Sequence, residues 1–153
     1  MTNSHIILIK YKYDIIALII RLWTHSNFNH CAWILNDYLI LESSRKGIII
    51  SSINKYNSWL YETYSFEIPN LTIEQKHTIN SYLLNQIKSL NYFKRLLSFL
   101  KVPFKKYNVT TPTCSGLIAL ACSQVQILFS FNKHPLLVTP EDIYKFSQPL
   151  NLK

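Results

Sequence analysis

The sequence predicts an α+β fold, an antiparallel sheet packed against helices in a single domain. Three observations lead there. Strand-like runs crowd the chain before Pro69, helix-start signatures dominate from Thr72 onward, and only two glycines and six prolines interrupt a chain that is 48% hydrophobic and 14% aromatic. Strands first and helices later give a sheet with helices laid on it, not alternating βαβ units. A chain of 153 residues is long enough for one real core and short for two.

His5 to Lys10 is a short apolar strand. Asp14 caps a helix over Ile15 to Trp23 whose apolar residues nearly encircle it, so this helix is expected to be buried. Phe28 to Leu35 and Tyr38 to Glu42 are two strands around the turn formers Asn36 and Asp37, as at a hairpin. Gly47 opens another strand, IIISSI, and the aromatic, β-branched run Leu60 to Ile68, closed by Pro69, reads as an edge strand. Thr72 with Gln75 forms a capping box, and Ile73, Ile79, Leu83, Leu84 and Ile87 recur at helical spacing. Asn91 to Leu100 continues as a second helix that Pro103 stops. Thr111 and Pro112 read as N-cap and first-turn proline of a helix from Thr113 to about Phe129, and Thr139 with Pro140 repeats the device for a last helix through Phe146.

Lys and Arg number 16 against 8 Asp and Glu, a formal charge of +8 that favours an anionic partner. No recognisable nucleic-acid reader motif accompanies that charge, so nucleic acid is not the expected partner. The cysteines, Cys31, Cys114 and Cys122, are odd in number and lack C-x-x-C spacing, which argues against a disulfide framework and against a structural zinc site. The apolar N-terminal stretch is broken by Lys10, Lys12, Asp14 and Arg21 and has no small-residue cleavage site, so no signal peptide is expected. Its longest uncharged run, Ile15 to Ile20, is far short of the roughly 20 residues a membrane span requires. A reducing, cytoplasmic setting is the expectation.

With Thr111 as the cap, Cys114 is the third residue of its helix, where free N–H groups and the helix dipole favour a thiolate. Cys122, two turns on, lacks that help and reads as a core thiol. A thiolate nucleophile needs a histidine as base and acid, oriented by a third polar group. Of five histidines, His5, His25, His77 and His134 read as solvated, near ends, loops or a polar helix face. His30 opens the apolar strand HCAWIL, and Glu42 is the acid in the next strand, LILES. The two share a face only if the hairpin loop holds an odd number of residues, such as Asn36, Asp37 and Tyr38. Glu42 then lies opposite Ala32, a diagonal neighbour of His30.

The order His30, Glu42, Cys114 resembles the circularly permuted papain-like cysteine hydrolases of the NlpC superfamily, a group that includes YiiX-like amidases or peptidases, many phage proteins and the lecithin:retinol acyltransferase group. Four stretches carry the resemblance: IIRLWTHSNFNHCAWIL, YLILESSRKGI, PTCSGLIALAC and VTPEDIYKFS, which with the LTIEQ helix start span Ile19 to Ser147. By this likeness the fold is permuted papain-like, Cys114 is the nucleophile, His30 the general base and acid, and Glu42 the residue that orients His30. The backbone N–H of Cys114 would form part of an oxyanion hole. Asn29 replaces the frequent Ser before the histidine, Ser43 the small Ala after the glutamate, and Gly116 a common acidic residue, departures that bear on substrate choice. Asn29 and Ser115 flank the triad and are expected on the substrate side. Tyr107 is expected there too, within the basic and aromatic stretch that includes Lys94, Arg95, Lys101, Lys105 and Lys106.

The first expectation is thus a thiol hydrolase cleaving an amide bond of a peptide or peptidoglycan fragment through a thioester, with no metal or organic cofactor implied. A phospholipid acyl hydrolase or acyltransferase of the same fold, with peripheral membrane contact, is the nearest alternative. A non-catalytic basic binding module, virion-associated or not, is the alternative from another class. The sequence is silent on oligomeric state.

Overall fold

A computed structural model describes residues 5–44, 47–87, 112–130 and 132–148. The expected helix at Asn91 to Leu100, the basic stretch with Tyr107, and the Thr111 cap lie outside the described residues. The protein is α+β, built on a five-stranded antiparallel sheet. Its strands are β1 (Ile6–Tyr11), β2 (His30–Ile34), β3 (Leu39–Ser44), β4 (Gly47–Ser52) and β5 (Tyr61–Phe66), in the spatial order β4-β3-β2-β1-β5. The last strand is an edge, as its closing proline suggested. Helix α1 (Ile15–Thr24) joins β1 to β2, a 3-10 turn (Ile53–Tyr56) precedes β5, and α2 (Ile73–Gln86), α3 (Cys114–Ser123) and α4 (Pro140–Ser147) follow the sheet.

Strand alternation divides the sheet into two unequal faces. On one face Ile6, Leu8, Cys31, Trp33 and Leu41 form the main core with Ile79 and Leu83 of α2, Leu117, Ile118 and Ala121 of α3, and Ile143 of α4. The Trp33 indole N–H donates to Asn80 Oδ1 at 2.7 Å, which satisfies the one polar atom that the indole carries into this core. The other face holds a smaller cluster of Ile7, Ile9, Ala32, Ile34, Ile40 and Tyr56.

Two helix starts follow the sequence closely. Thr72 and Gln75 make the reciprocal capping box of α2, and Thr139 does the same with Asp142 in α4. The third start differs. Thr113, not Thr111, is the N-cap of α3, its hydroxyl accepting the Gly116 N–H at 3.1 Å, so Cys114 is the first helical residue and not the third. The helix ends at Ser123, well short of Phe129, and Gln126 three residues on has φ 65°. Gly116 has a structural reason to lack a side chain: a Cβ there would lie 3.1 Å from the Leu136 carbonyl oxygen and 3.1 Å from Thr113 Oγ1.

Two other expectations fail. His5 is buried, not solvated: its Nδ1 accepts the Ile68 N–H at 3.0 Å and its ring stacks on Trp33, with burial the main force holding its pKa down. Helix α1 is not enclosed. Ala17 is buried, but Ile15 and Leu22 are 75% and 67% exposed and Leu18 and Ile19 about half exposed; among the described elements β1 is the main one packed against this helix, and a single neighbour covers a single stripe.

Gly116→Ala is expected to destabilise the protein by about 1–3 kcal/mol, since the added methyl must displace backbone at Leu136. Urea unfolding monitored by circular dichroism measures it; a variant as stable as the wild type would show that this packing is slack.

Candidate active site

The β2–β3 hairpin does the first part of the assembly. Leu35 N–H donates to the Leu39 carbonyl at 2.9 Å, and Asn36 Oδ1 accepts the N–H groups of Tyr38 and Leu39 at 2.9 Å each. Three residues, Asn36 to Tyr38, therefore form the loop, and Ala32 pairs with Glu42. The odd count puts His30 and Glu42 on one face, diagonal across two strands. His30 Nε2 stands 2.9 Å from Glu42 Oε2.

Glu42 is 2% exposed, an ionised carboxylate in an apolar strand, and such a group persists only when its lone pairs are met. Four donors meet them. Oε2 takes His30 and the Tyr56 hydroxyl (2.6 Å), while Oε1 takes the Ser51 hydroxyl (2.5 Å) and the Lys55 ammonium. Burial pushes the carboxyl pKa up, but hydrogen bonds from His30, Lys55, Ser51 and Tyr56 outweigh it and hold the pKa far below the usual carboxylate range. Burial is also the first cause that raises the Tyr56 phenol, with its hydrogen bond to Glu42 next, so Tyr56 stays a donor.

Cys114 reaches the same imidazole from the other side. As the first residue of α3 it stands where backbone N–H groups have no intrahelical acceptor. Its thiol hydrogen-bonds Cys31 and His30; the bond from Cys31 lowers its pKa most, burial opposes, and the His30 charge adds to the lowering. The result lies well below an ordinary thiol. For His30 burial is the largest influence and disfavours the cation, but the Cys114 thiolate and Glu42 reverse it and raise the pKa to about 9. With Nε2 on Glu42, Nδ1 is the imidazole atom left for Cys114. The His30 imidazole thus has the Cys114 thiol and the Glu42 carboxylate as its two partners, and the shifts favour the charged form of each, a combination suited to nucleophilic acyl transfer.

The other cysteines behave differently. Cys31 is fully buried on the core face, and burial, then its bond to Cys114, drives its thiol pKa well up. Cys122 is a core thiol that burial alone pushes above its ordinary range. Beside the site, the Tyr11 ring lies 6.3 Å from the His30 ring and its hydroxyl 3.5 Å from that of Tyr56.

Of the residues expected on the substrate side, Asn29 is buried, and its side-chain oxygen accepts the Tyr11 N–H at 2.8 Å, which pins the end of β1. Ser115 is buried too and donates to the Val138 carbonyl at 2.6 Å, tying α3 to the approach of α4. Both side chains are engaged within the fold. Tyr107 lies outside the described residues. Sequence reasoning missed Cys31, Ser51, Lys55, Tyr56 and Tyr11. Ser51 had a signal: Glu42 pairs with Ile49, and two residues along β4 the same face returns at Ser51. Lys55 and Tyr56 come from a 3-10 turn, whose direction no periodicity encodes.

No family model and no curated protein matches this chain. Among the described residues, no group of three or more His, Cys, Asp or Glu side chains is arranged to hold a metal ion.

Two outcomes follow from the carboxylate. Because the folded pKa of Glu42 is depressed, its stabilisation is complete above its ordinary value of 4.5 and is lost as pH falls below that. Glu42→Gln should remove this part of the acid sensitivity and lower stability near neutral pH by on the order of 3 kcal/mol, read from urea midpoints across pH. Lys55→Met should leave the carboxylate charge to His30 alone and move the imidazole titration above that of the wild type, while Lys55→Arg should not. Carbon-13 NMR of His30 across pH gives the comparison, and identical titrations in all three proteins would refute the role of Lys55.

Proposed function

We propose that this protein is a cysteine hydrolase of the permuted papain-like type, cleaving an amide bond in a peptide or a cell-wall peptide through a thioester acyl-enzyme. The observation that carries this reading is the His30 imidazole held between the Glu42 carboxylate and the Cys114 thiol at a helix start. The sequence resemblance supports the same three roles.

The chemistry follows from the protonation states. The Cys114 thiolate attacks the carbonyl carbon, and the carbonyl oxygen takes the negative charge. Backbone N–H groups at the start of α3, that of Cys114 among them, are the donors nearest to hand for that charge. As the tetrahedral intermediate collapses, His30 gives its Nδ1 proton to the leaving amine nitrogen and the C–N bond breaks, leaving the acyl group on sulfur. Neutral His30 then takes a proton from water, whose oxygen attacks the thioester; the C–S bond breaks, and the acid and the thiolate are released. Glu42 keeps its charge throughout and holds the Nε2–H, so that Nδ1 faces the reacting atoms. A raised His30 pKa suits the acid step, since the proton is present below about pH 9 and is lost as pH rises through it. A nucleophile of this kind beside a second free thiol suits a reducing, cytoplasmic setting.

The reading is tested by the thiols themselves. Iodoacetamide near neutral pH should alkylate Cys114 fast and Cys31 and Cys122 slowly, as located by peptide mass spectrometry, and His30→Ala should slow the reaction at Cys114. Equal, slow labelling of all three would sink the proposal. With an activated thiol in hand, peptide and peptidoglycan-fragment amides are the substrates to screen, with Cys114→Ala as the inactive control.

A further inference from the structure

Among the described side chains of α1, the exposed ones are Ile15, Leu18, Ile19 and Leu22, which follow i, i+3, i+4, i+7 spacing and so form one apolar stripe. Water faces the side that a globular helix ordinarily covers with polar residues. The stripe does not end with the helix. Tyr13 packs on Trp59, ring centroids 5.5 Å apart, and the two are 74% and 73% exposed where β1 leaves and β5 enters the same end of their paired strands. Leu60 adjoins them, and a groove of about 160 Å³ lined by Tyr11, Tyr13, Asp14, Leu60 and Tyr61 runs inward from this surface. Tyr11 is also the ring beside His30, so the face abuts the candidate active site.

We propose that α1 and the Tyr13–Trp59 pair form a membrane-docking face that seats the protein on an anionic bilayer. Aliphatic residues on one stripe with Trp and Tyr at its margin are the composition of interfacial helices, whose apolar side enters the acyl boundary while the aromatic rings lie at headgroup level. Charge selects the occupant. Lys10 and Lys12, at the end of β1 leading into the face, share the single carboxylate of Glu62, at 2.9 and 3.5 Å, and Arg21 stands in the last turn of α1. Among the described residues, the carboxylates at this margin are Glu62, Asp14 and, past the end of α1, Glu141, which accepts the Asn27 N–H; the excess of cations is that of the whole chain, whose formal charge is +8. A second copy of the chain would bring that same charge into contact, whereas anionic lipid brings the opposite sign. The inference concerns binding alone and stands whether or not Cys114 is a nucleophile.

Co-sedimentation of the full chain with vesicles of phosphatidylcholine mixed with phosphatidylglycerol, and with pure phosphatidylcholine, is the experiment. Wild type should pellet with the mixed vesicles and less with the neutral ones. The double variant Leu18→Glu, Leu22→Glu should lose at least about tenfold in partition with an unchanged circular dichroism spectrum, since Leu22 is two-thirds and Leu18 about half exposed to water. Should that variant fail to fold, Trp59→Ser on the separate β5 approach reads the same face and should weaken partition in the same direction. Absence of wild-type binding to the mixed vesicles overturns the proposal. So does equal binding by the folded variants, or light scattering that shows a wild-type dimer which the variants dissociate.

Discussion

A carboxylate kept charged in an apolar sheet face is the constraint from which the arrangement of this protein follows. Glu42 cannot be buried alone, because an unpaired ion in such surroundings would neutralise or open the fold. Its two oxygens draw donors from three separate elements: His30 from β2, Ser51 from β4, and Lys55 with Tyr56 from the 3-10 turn. Those bonds lock the end of the sheet into one geometry. They also hold one imidazole nitrogen, so the other must face the helix that carries Cys114.

The site lies at the junction of the two sheet faces. His30 belongs by alternation to the face of Ala32 and Ile34, whereas Cys31 beside it points into the main core against α3. Adjacent residues on one strand thus meet the same sulfur from opposite faces. This is feasible at a strand end, where the first residue is not confined between two neighbours as a central one is. Asn29, just before the strand, holds the end of β1 through the Tyr11 N–H and sets the other wall.

Balance between Lys55 and His30 gives this carboxylate a second consequence. With an ammonium already on Oε1, Glu42 remains partnered when His30 gives up its proton. A buried carboxylate bonded to histidine alone would be left uncompensated whenever the imidazole lost its proton. The cation over the Tyr56 ring, 4.7 Å from its centroid, keeps the same group close to the phenol that completes the carboxylate shell.

Local chemistry was legible wherever a short stretch settled its own conformation. The Thr72–Gln75 capping box, the Thr139–Pro140 start and the alternation of β2 and β3 appear in the sequence because each depends on neighbours a few residues away. The pairing of His30 with Glu42 was legible as a condition on one loop, and the register of Ala32 on Glu42 meets it. Two Thr-Pro-type starts looked alike, yet only tertiary packing decided that Thr113 caps α3, where Gly116 lets the Leu136 backbone come close. The same holds for α1: its apolar residues are written in the sequence, but which of them are covered depends on the elements packed against it. By itself the sequence determined the elements and the residue types available for chemistry, since periodicity and capping act over a few residues. Tertiary structure alone decided the shell of Glu42, the contact of Cys31 with Cys114 and the open face of α1, because each depends on where distant segments come to rest.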